Sequence, residues 1–155
     1  MRKFEKVTLE QYMKDGGTQD EYDAIVLPQR ATVKSGCYDI RTPKGFVLGP
    51  KNSARFPTGL RVLMNDDESL LVHVRSSVGA KYKVRLSNCT GIIDADYCLG
   101  SNEGHMWVFL HNDSDIHFVA NAGDRIAQGM FVKYLTTDDD SVDSERTGGV
   151  GSTGK

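Results

Sequence analysis

An all-β sandwich or barrel is the fold this sequence predicts, and three observations carry the prediction. Short β-rich runs recur between turn signals, glycine supplies 16 of the 155 residues, and helix signals are sparse. Only residues 8–14 read as a helix, with Thr8 as the cap, Gln11 three residues later, and Gly16 and Gly17 as the stop. The strands follow in order. Residues 23–27 end at Pro28, residues 37–41 end at Thr42 and Pro43, and residues 59–64 end at Asn65, Asp66 and Asp67. Residues 69–74 lead into Arg75, Ser76 and Ser77, and residues 91–94, 106–110, 116–119 and 125–134 complete the series.

The length suits one domain, and a domain of this size buries roughly 70% of the surface its unfolded chain exposes. Residues 1–134 are expected to form that β-domain, and residues 135–155 a mobile arm. The arm carries Asp138, Asp139, Asp140, Asp143 and Glu145, then a glycine-rich end with almost nothing apolar to bury. Hydrophobic content of 39% and charged content of 26% are ordinary globular values. A formal net charge of −2 argues against a nucleic-acid binder, which needs clustered Lys and Arg. Three cysteines without CxxC spacing suggest reduced thiols rather than a disulfide framework or zinc site. No apolar run follows the basic residues near Met1, and no window reaches the ~20 apolar residues that span a bilayer. The protein is therefore expected to be soluble, cytoplasmic and free of membrane partners.

Four segments can carry chemistry. Residues 149–155 match the letters G-x-x-x-x-G-K, but no strand precedes them and no helix follows, so a P-loop is rejected. Their successive glycine amides, with Ser152, Thr153 and Arg146, can still wrap a phosphate as a flap. Arg75, Ser76 and Ser77, placed in a turn after a buried strand, can donate to phosphate oxygens. In residues 91–97, Ile92 and Ile93 anchor a strand and Asp94 follows them inward. A carboxylate there serves as general base on water or helps hold a metal, or is simply part of an Asp-rich turn. Tyr97 offers a flat ring to a sugar. Gln128, in the strand after the Gly123-Asp124 turn, points to a site or to solvent.

In order, these segments resemble the five motifs of the trimeric dUTP pyrophosphatase family. Residues 35–40, S-G-C-Y-D-I, are similar to A-G-Y-D-L; residues 75–77 to R-S-S; residues 91–97, G-I-I-D-A-D-Y, to G-x-I-D-x-x-Y. Residues 123–128, G-D-R-I-A-Q, and residues 146–154, R-T-G-G-V-G-S-T-G, complete the set. The resemblance implies a jelly-roll subunit, a homotrimer with active sites shared between subunits, and an arm that closes one of them. By position it implies Asp94 as the base that deprotonates the attacking water, and Tyr97 packed on deoxyribose so that a 2′-hydroxyl is rejected. Asn88 and the hairpin backbone through Gly91 and Ile93 would read uracil. Arg75, Ser76, Ser77 and Gln128 would hold the phosphate chain, and Arg146, Gly151, Ser152 and Thr153 would close on the γ-phosphate. Asp39 would be structural. Mg²⁺ would be held by the triphosphate of dUTP through water, with no direct protein ligand.

Two positions depart from the family pattern. Cys37 stands where glycine is usual, which raises a question about the local backbone. Val150 stands where an aromatic usually covers uracil, and His105 or Trp107 in the insertion of residues 99–107 could serve instead. Two other readings compete. The related dCTP deaminases share the fold and the R-S-S segment but need a glutamate near Phe109, which is absent. A non-catalytic, nucleotide-gated binding module would use the N-terminal extension or the acidic stretch to reach an unidentified protein partner.

Overall fold

The computed structural model describes residues 1–146 and residue 148. The elements run β1 (Lys3–Lys6), α1 (Leu9–Lys14), α2 (Gln19–Asp23), β2 (Gln29–Arg30), β3 (Tyr38–Arg41), β4 (Phe46–Leu48), β5 (Ser53–Pro57) and β6 (Leu60–Leu63). They continue with β7 (Glu68–Val74), α3 (Ser76–Tyr82), β8 (Val84–Leu86), β9 (Gly91–Asp94), a 3-10 turn (Ala95–Leu99), β10 (Trp107–Asn112), β11 (Phe118–Ala120) and β12 (Arg125–Lys133). Among the described residues no helix is long and apolar enough to cross a membrane.

All strand pairs are antiparallel. A five-stranded sheet of order β2-β3-β12-β7-β9 stands with a three-stranded sheet of order β5-β10-β8, and the pairs β1-β6 and β11-β4 complete the framework. The pleat decides what is buried. Along β10, Val108, Leu110 and Asn112 point inward while Trp107, Phe109 and His111 remain partly exposed. Strand β7 lies between β12 and β9, so Leu70 and Val72 are buried with Ile126, Ala127 and Ile40 from neighbouring strands. Between Arg125 and Ala127 the register of β12 against β3 shifts, and this irregularity turns both Ile126 and Ala127 into the core. The N-terminal segment is part of this framework. β1 pairs with β6, and α1 buries Tyr12 completely beside Tyr22.

Two sequence-based elements take a different form. Residues 23–27 are not a strand. Thr18 and Glu21 form a reciprocal capping box that starts α2 over Gln19–Asp23, and residues 25–28 follow without regular structure. Arg75 to Ser77 is not a free turn: Arg75 is the N-cap residue of α3, which ends at Lys83 in the left-handed conformation. Thr8 caps α1 as expected, accepting from the Gln11 amide. Cys37 causes no distortion, since it is not among the residues with positive φ.

Asn112 closes the end of β10. Its amide donates to the carbonyls of Leu48 (3.1 Å), Gly49 (3.2 Å) and Ile116 (2.8 Å), and its oxygen accepts from the Ser114 amide and hydroxyl. The side chain is fully buried, so its loss strands carbonyls that water cannot reach. Asn112→Ala is expected to lower unfolding free energy by about 2–4 kcal/mol, read from the urea midpoint at unchanged slope.

Candidate active site

The hairpin joining β8 to β9 builds one wall of the site. At its tip the Thr90 amide donates to the Asn88 carbonyl at 2.6 Å across Cys89, whose φ is +63°. An i to i+2 bond over a residue with positive φ is a tight and strained turn. It holds the Asn88 backbone beside a cavity of about 220 Å³ whose lining includes Asn88, Gly91, Ile93, Asp94, Tyr97, Trp107 and Arg146. These candidates come together in one chain.

Asp94 faces differently from the sequence-based expectation. In β9, Ile92 and Asp94 lie on the open side while Gly91 and Ile93 are half-buried, and the Asp94 side chain is 52% exposed. It is therefore not turned into the core. Arg146 covers it: Nη2 lies 2.7 Å from Asp94 Oδ2 and Nε lies 2.8 Å from Asp96 Oδ1, with the guanidinium 5.7 Å from the centre of the Tyr97 ring. Asp94 and Arg146 also border a second cavity of about 630 Å³, on the side of Leu63, Ser69 and Tyr134. They form a partition that water can approach from two directions.

Tyr97 is buried, and its hydroxyl donates to the His105 carbonyl at 3.0 Å while accepting from Asn102 Nδ2 at 3.0 Å. Burial raises the phenol pKa, against the lowering effect of Asn102 and Arg146, so the hydroxyl keeps its proton. Gly104 makes the turn beneath it possible. Its φ is +71°, and a Cβ there would lie 2.5 Å from Cys98 Cα and 2.9 Å from the Tyr97 carbonyl oxygen.

His105 does not serve as a lid. Its side chain is 0% exposed, Nε2 accepts from the Gly59 amide at 2.9 Å, and Nδ1 lies 2.6 Å from Asp15 Oδ2. With both ring nitrogens engaged inside the core, no face is left to cover a base. Trp107 is partly exposed at the cavity, with the Arg55 guanidinium 4.9 Å from its ring centre.

Arg75, Ser76, Ser77 and Gln128 form a separate group, none of them lining the cavity that holds Asp94. Arg75 Nε and Arg125 Nη1 pair with the two oxygens of Asp39 at 2.9 and 3.0 Å, and Gln128 stands opposite Asp39 in the β12–β3 ladder. Ser76 and Ser77 are exposed at the start of α3. Asp94 lies opposite Ser69 on β7, Gln128 is opposite His73 four residues along that strand and Arg75 is six residues along the chain, so the offsets are about 13 Å and about 20 Å at about 3.3 Å per residue. Val150, Gly151, Ser152 and Thr153 lie outside the described residues.

Sequence reasoning missed Asp15, Asp96 and Asn102. Asp96 could have been found from its spacing, two residues beyond Asp94. Asp15 meets His105 across 90 positions of sequence, which no local pattern signals. Among the described residues, no three His, Cys, Asp or Glu side chains converge in an arrangement that could hold a metal ion.

A family model described as dUTPase matches residues 23–154. The deoxyuridine 5′-triphosphate nucleotidohydrolase of Lactococcus lactis subsp. lactis is 39% identical over 133 residues, covering 84% of this chain and 89% of that protein. The protein of the same name from Legionella pneumophila is 33% identical over 141 residues, covering 86% and 90%. The crystal structure of dUTPase from Streptococcus mutans superposes with a TM-score of 0.72 at 31% identity, over 87% of this chain and 98% of that one. The dUTPase from phage phi11 of S. aureus shares the fold alone, with a TM-score of 0.70 at 20% identity over 93% and 97%. The jelly-roll architecture is thus shown.

The His105 contacts make stability depend on pH. Accepting the Gly59 amide requires an unprotonated Nε2, so the neutral ring donates to Asp15 from Nδ1. Burial holds the imidazole below its ordinary value of 6.5, although Asp15 pulls the other way. As pH falls below about 6.5 the unfolded chain takes up a proton that folded His105 resists, so this contribution is complete above that pH and is lost progressively below it. The urea midpoint of the wild type relative to His105→Gln is expected to shrink as pH is lowered from 7.5 to 5.5, with values buffered about one unit either side of the histidine range.

Proposed function

The chain belongs to the dUTPase family, and from that premise we propose that it hydrolyses dUTP to dUMP and pyrophosphate with Asp94 as general base. The observation that supports this most is the cavity itself, where Asp94, the Tyr97 ring and the Asn88 to Ile93 backbone converge. Water held by Asp94 loses its proton to the carboxylate as it attacks the α–β phosphoanhydride, and pyrophosphate leaves. General-base help of this kind contributes about 10² to 10⁴ in rate.

Specificity follows from how close the walls stand. Backbone amide and carbonyl groups of the strained hairpin pair with the polar edge of uracil, and mismatched donors and acceptors reject cytosine. Its tight tip leaves no room for a 5-methyl group. Tyr97 packs on deoxyribose where a 2′-hydroxyl would sit. Trp107 is the described aromatic placed to cover the base in place of the family's arm aromatic.

Arg146 pairs with two carboxylates, Asp94 and Asp96. The γ-phosphate of dUTP, richer in charge than either, takes its place as partner, and Asp94 is released to accept a proton from water. Arg75, Ser76, Ser77 and Gln128 hold the phosphate chain. With Gln128 offset by about 13 Å and Arg75 by about 20 Å along β7 from the position opposite Asp94, that group is set to serve a nucleotide held by the Asp94 of another copy. The site is completed by another copy in a homotrimer, each phosphate group serving the Asp94 of its neighbour. Mg²⁺ would be held by the oxygens of the triphosphate and water, where it would offset phosphate charge. Three free thiols fit a cytoplasmic enzyme.

Pyrophosphate release from dUTP, with dTTP, dCTP and UTP in parallel, tests the reading. Wild type is expected to turn over dUTP alone, and Asp94→Asn to lose at least about 10²-fold in kcat while still binding dUTP. Wild-type binding without release of pyrophosphate would remove hydrolysis from the account.

A further inference from the structure

The first 22 residues lie ahead of the family match, yet α1 grips the turn that carries the Tyr97 hydroxyl's partner. Thr8 does two things at once. Its side-chain oxygen accepts from the Gln11 amide to cap α1, while its own amide and hydroxyl donate to the two oxygens of Glu103 at 2.8 and 2.7 Å. At the other end of the helix, Asp15 Oδ2 receives Gln11 Nε2 at 2.7 Å and His105 Nδ1 at 2.6 Å. Thus the two ends of α1 hold residues 103 and 105, on either side of Gly104.

That turn rests directly on Tyr97. The carbonyl of His105 accepts the Tyr97 hydroxyl at 3.0 Å, and the His105 ring is itself fixed from behind by the Gly59 amide. Asn102, at the start of the same turn, donates to the phenol oxygen and reaches the His105 carbonyl at 3.4 Å. A continuous path of hydrogen bonds therefore runs from α1 through Asp15 and His105 to the phenol of Tyr97.

We propose that α1 is a built-in brace, acting through Asp15 and Glu103, that positions the Tyr97 ring and so sets how strictly the site distinguishes deoxyribose from ribose. The proposal rests on the reading of Tyr97 as the ring that packs on the sugar. A phenol tied at its oxygen cannot slide, and the space left for a 2′-hydroxyl depends on where the ring stands to within a fraction of an ångström. Asp15 and Glu103 are positioning residues, since they act on substrate only through the turn and Tyr97.

Steady-state kinetics of the full-length chain with dUTP and UTP test this directly. Asp15→Ala and Glu103→Ala are each expected to lower the ratio of kcat/KM for dUTP over UTP by about tenfold, because misplacing a binding group by 1 Å can cost up to about 10²-fold. Asp15→Asn keeps an acceptor for the His105 proton and is expected to hold the ratio near wild type. Arg2→Ala, which frees the N-terminus from Glu68, lowers the melting temperature without moving the ratio. Glu103 is only partly buried, so Glu103→Ala carries the test should Asp15→Ala fail to fold. If folded Asp15→Ala or Glu103→Ala keeps the wild-type ratio while Tyr97→Ala loses it, the brace is overturned and the sugar reading stands. If Tyr97→Ala itself keeps the ratio, the sugar reading falls and the brace with it.

Discussion

Strand β7 pairs with β12 on one side and β9 on the other, and that double pairing fixes the spacing on which the rest of the molecule depends. The register places Asp94 opposite Ser69, at one end of the strand, and Gln128 opposite His73, near the other. A slip of one residue would turn Ile93 out and Asp94 in, so burial of Leu70 and Val72 holds the register in place. The core thereby sets the spacing between Asp94 and the Arg75–Gln128 group.

The charged groups differ in how far they are shielded from water. Asp94 and Asp96 are about half exposed, whereas the Arg146 side chain that pairs with both is mostly shielded. Asp39 is different. It is mostly shielded and engages both Arg75 and Arg125, which fixes the two guanidinium groups against β3. The N-terminal segment adds a third kind of contact, the pairing of half-buried Asp15 with fully buried His105, which holds a turn.

Much of this was legible in the sequence, and the exceptions have physical causes. The Thr8 cap and the β-rich run at residues 106–110 are local patterns, and the first caps α1 while the second falls largely in β10. Residues 23–27 read as a strand because Ala24 to Leu27 is apolar, but that stretch leaves α2 at Asp23 and continues without regular structure, and α2 itself has only five residues, too few to display a period. The start of α3 read as a turn because Ser76, Ser77 and Gly79 are turn-formers. For Asp94, the two preceding isoleucines suggested a strand buried on both faces, whereas β9 is an edge strand with one face open. His105 and Trp107 sit two residues apart, yet β10 begins only at Trp107, so His105 lies outside the pleat and turns into the core. The pairing of Arg146 with Asp94 spans 52 positions and belongs to tertiary structure alone.

The claim that two copies build each site is tested most directly by mixing two inactive variants. Asp94→Asn and Arg75→Ala are unfolded together in equal amounts and refolded, then assayed with dUTP. Sites that draw Asp94 from one chain and Arg75 from the next are intact in about one quarter of random pairings in a cyclic assembly, so about one quarter of wild-type activity should return. Mixed oligomers that form but remain as inactive as either variant would contradict the account, because each chain would then be using its own Arg75 beside its own Asp94.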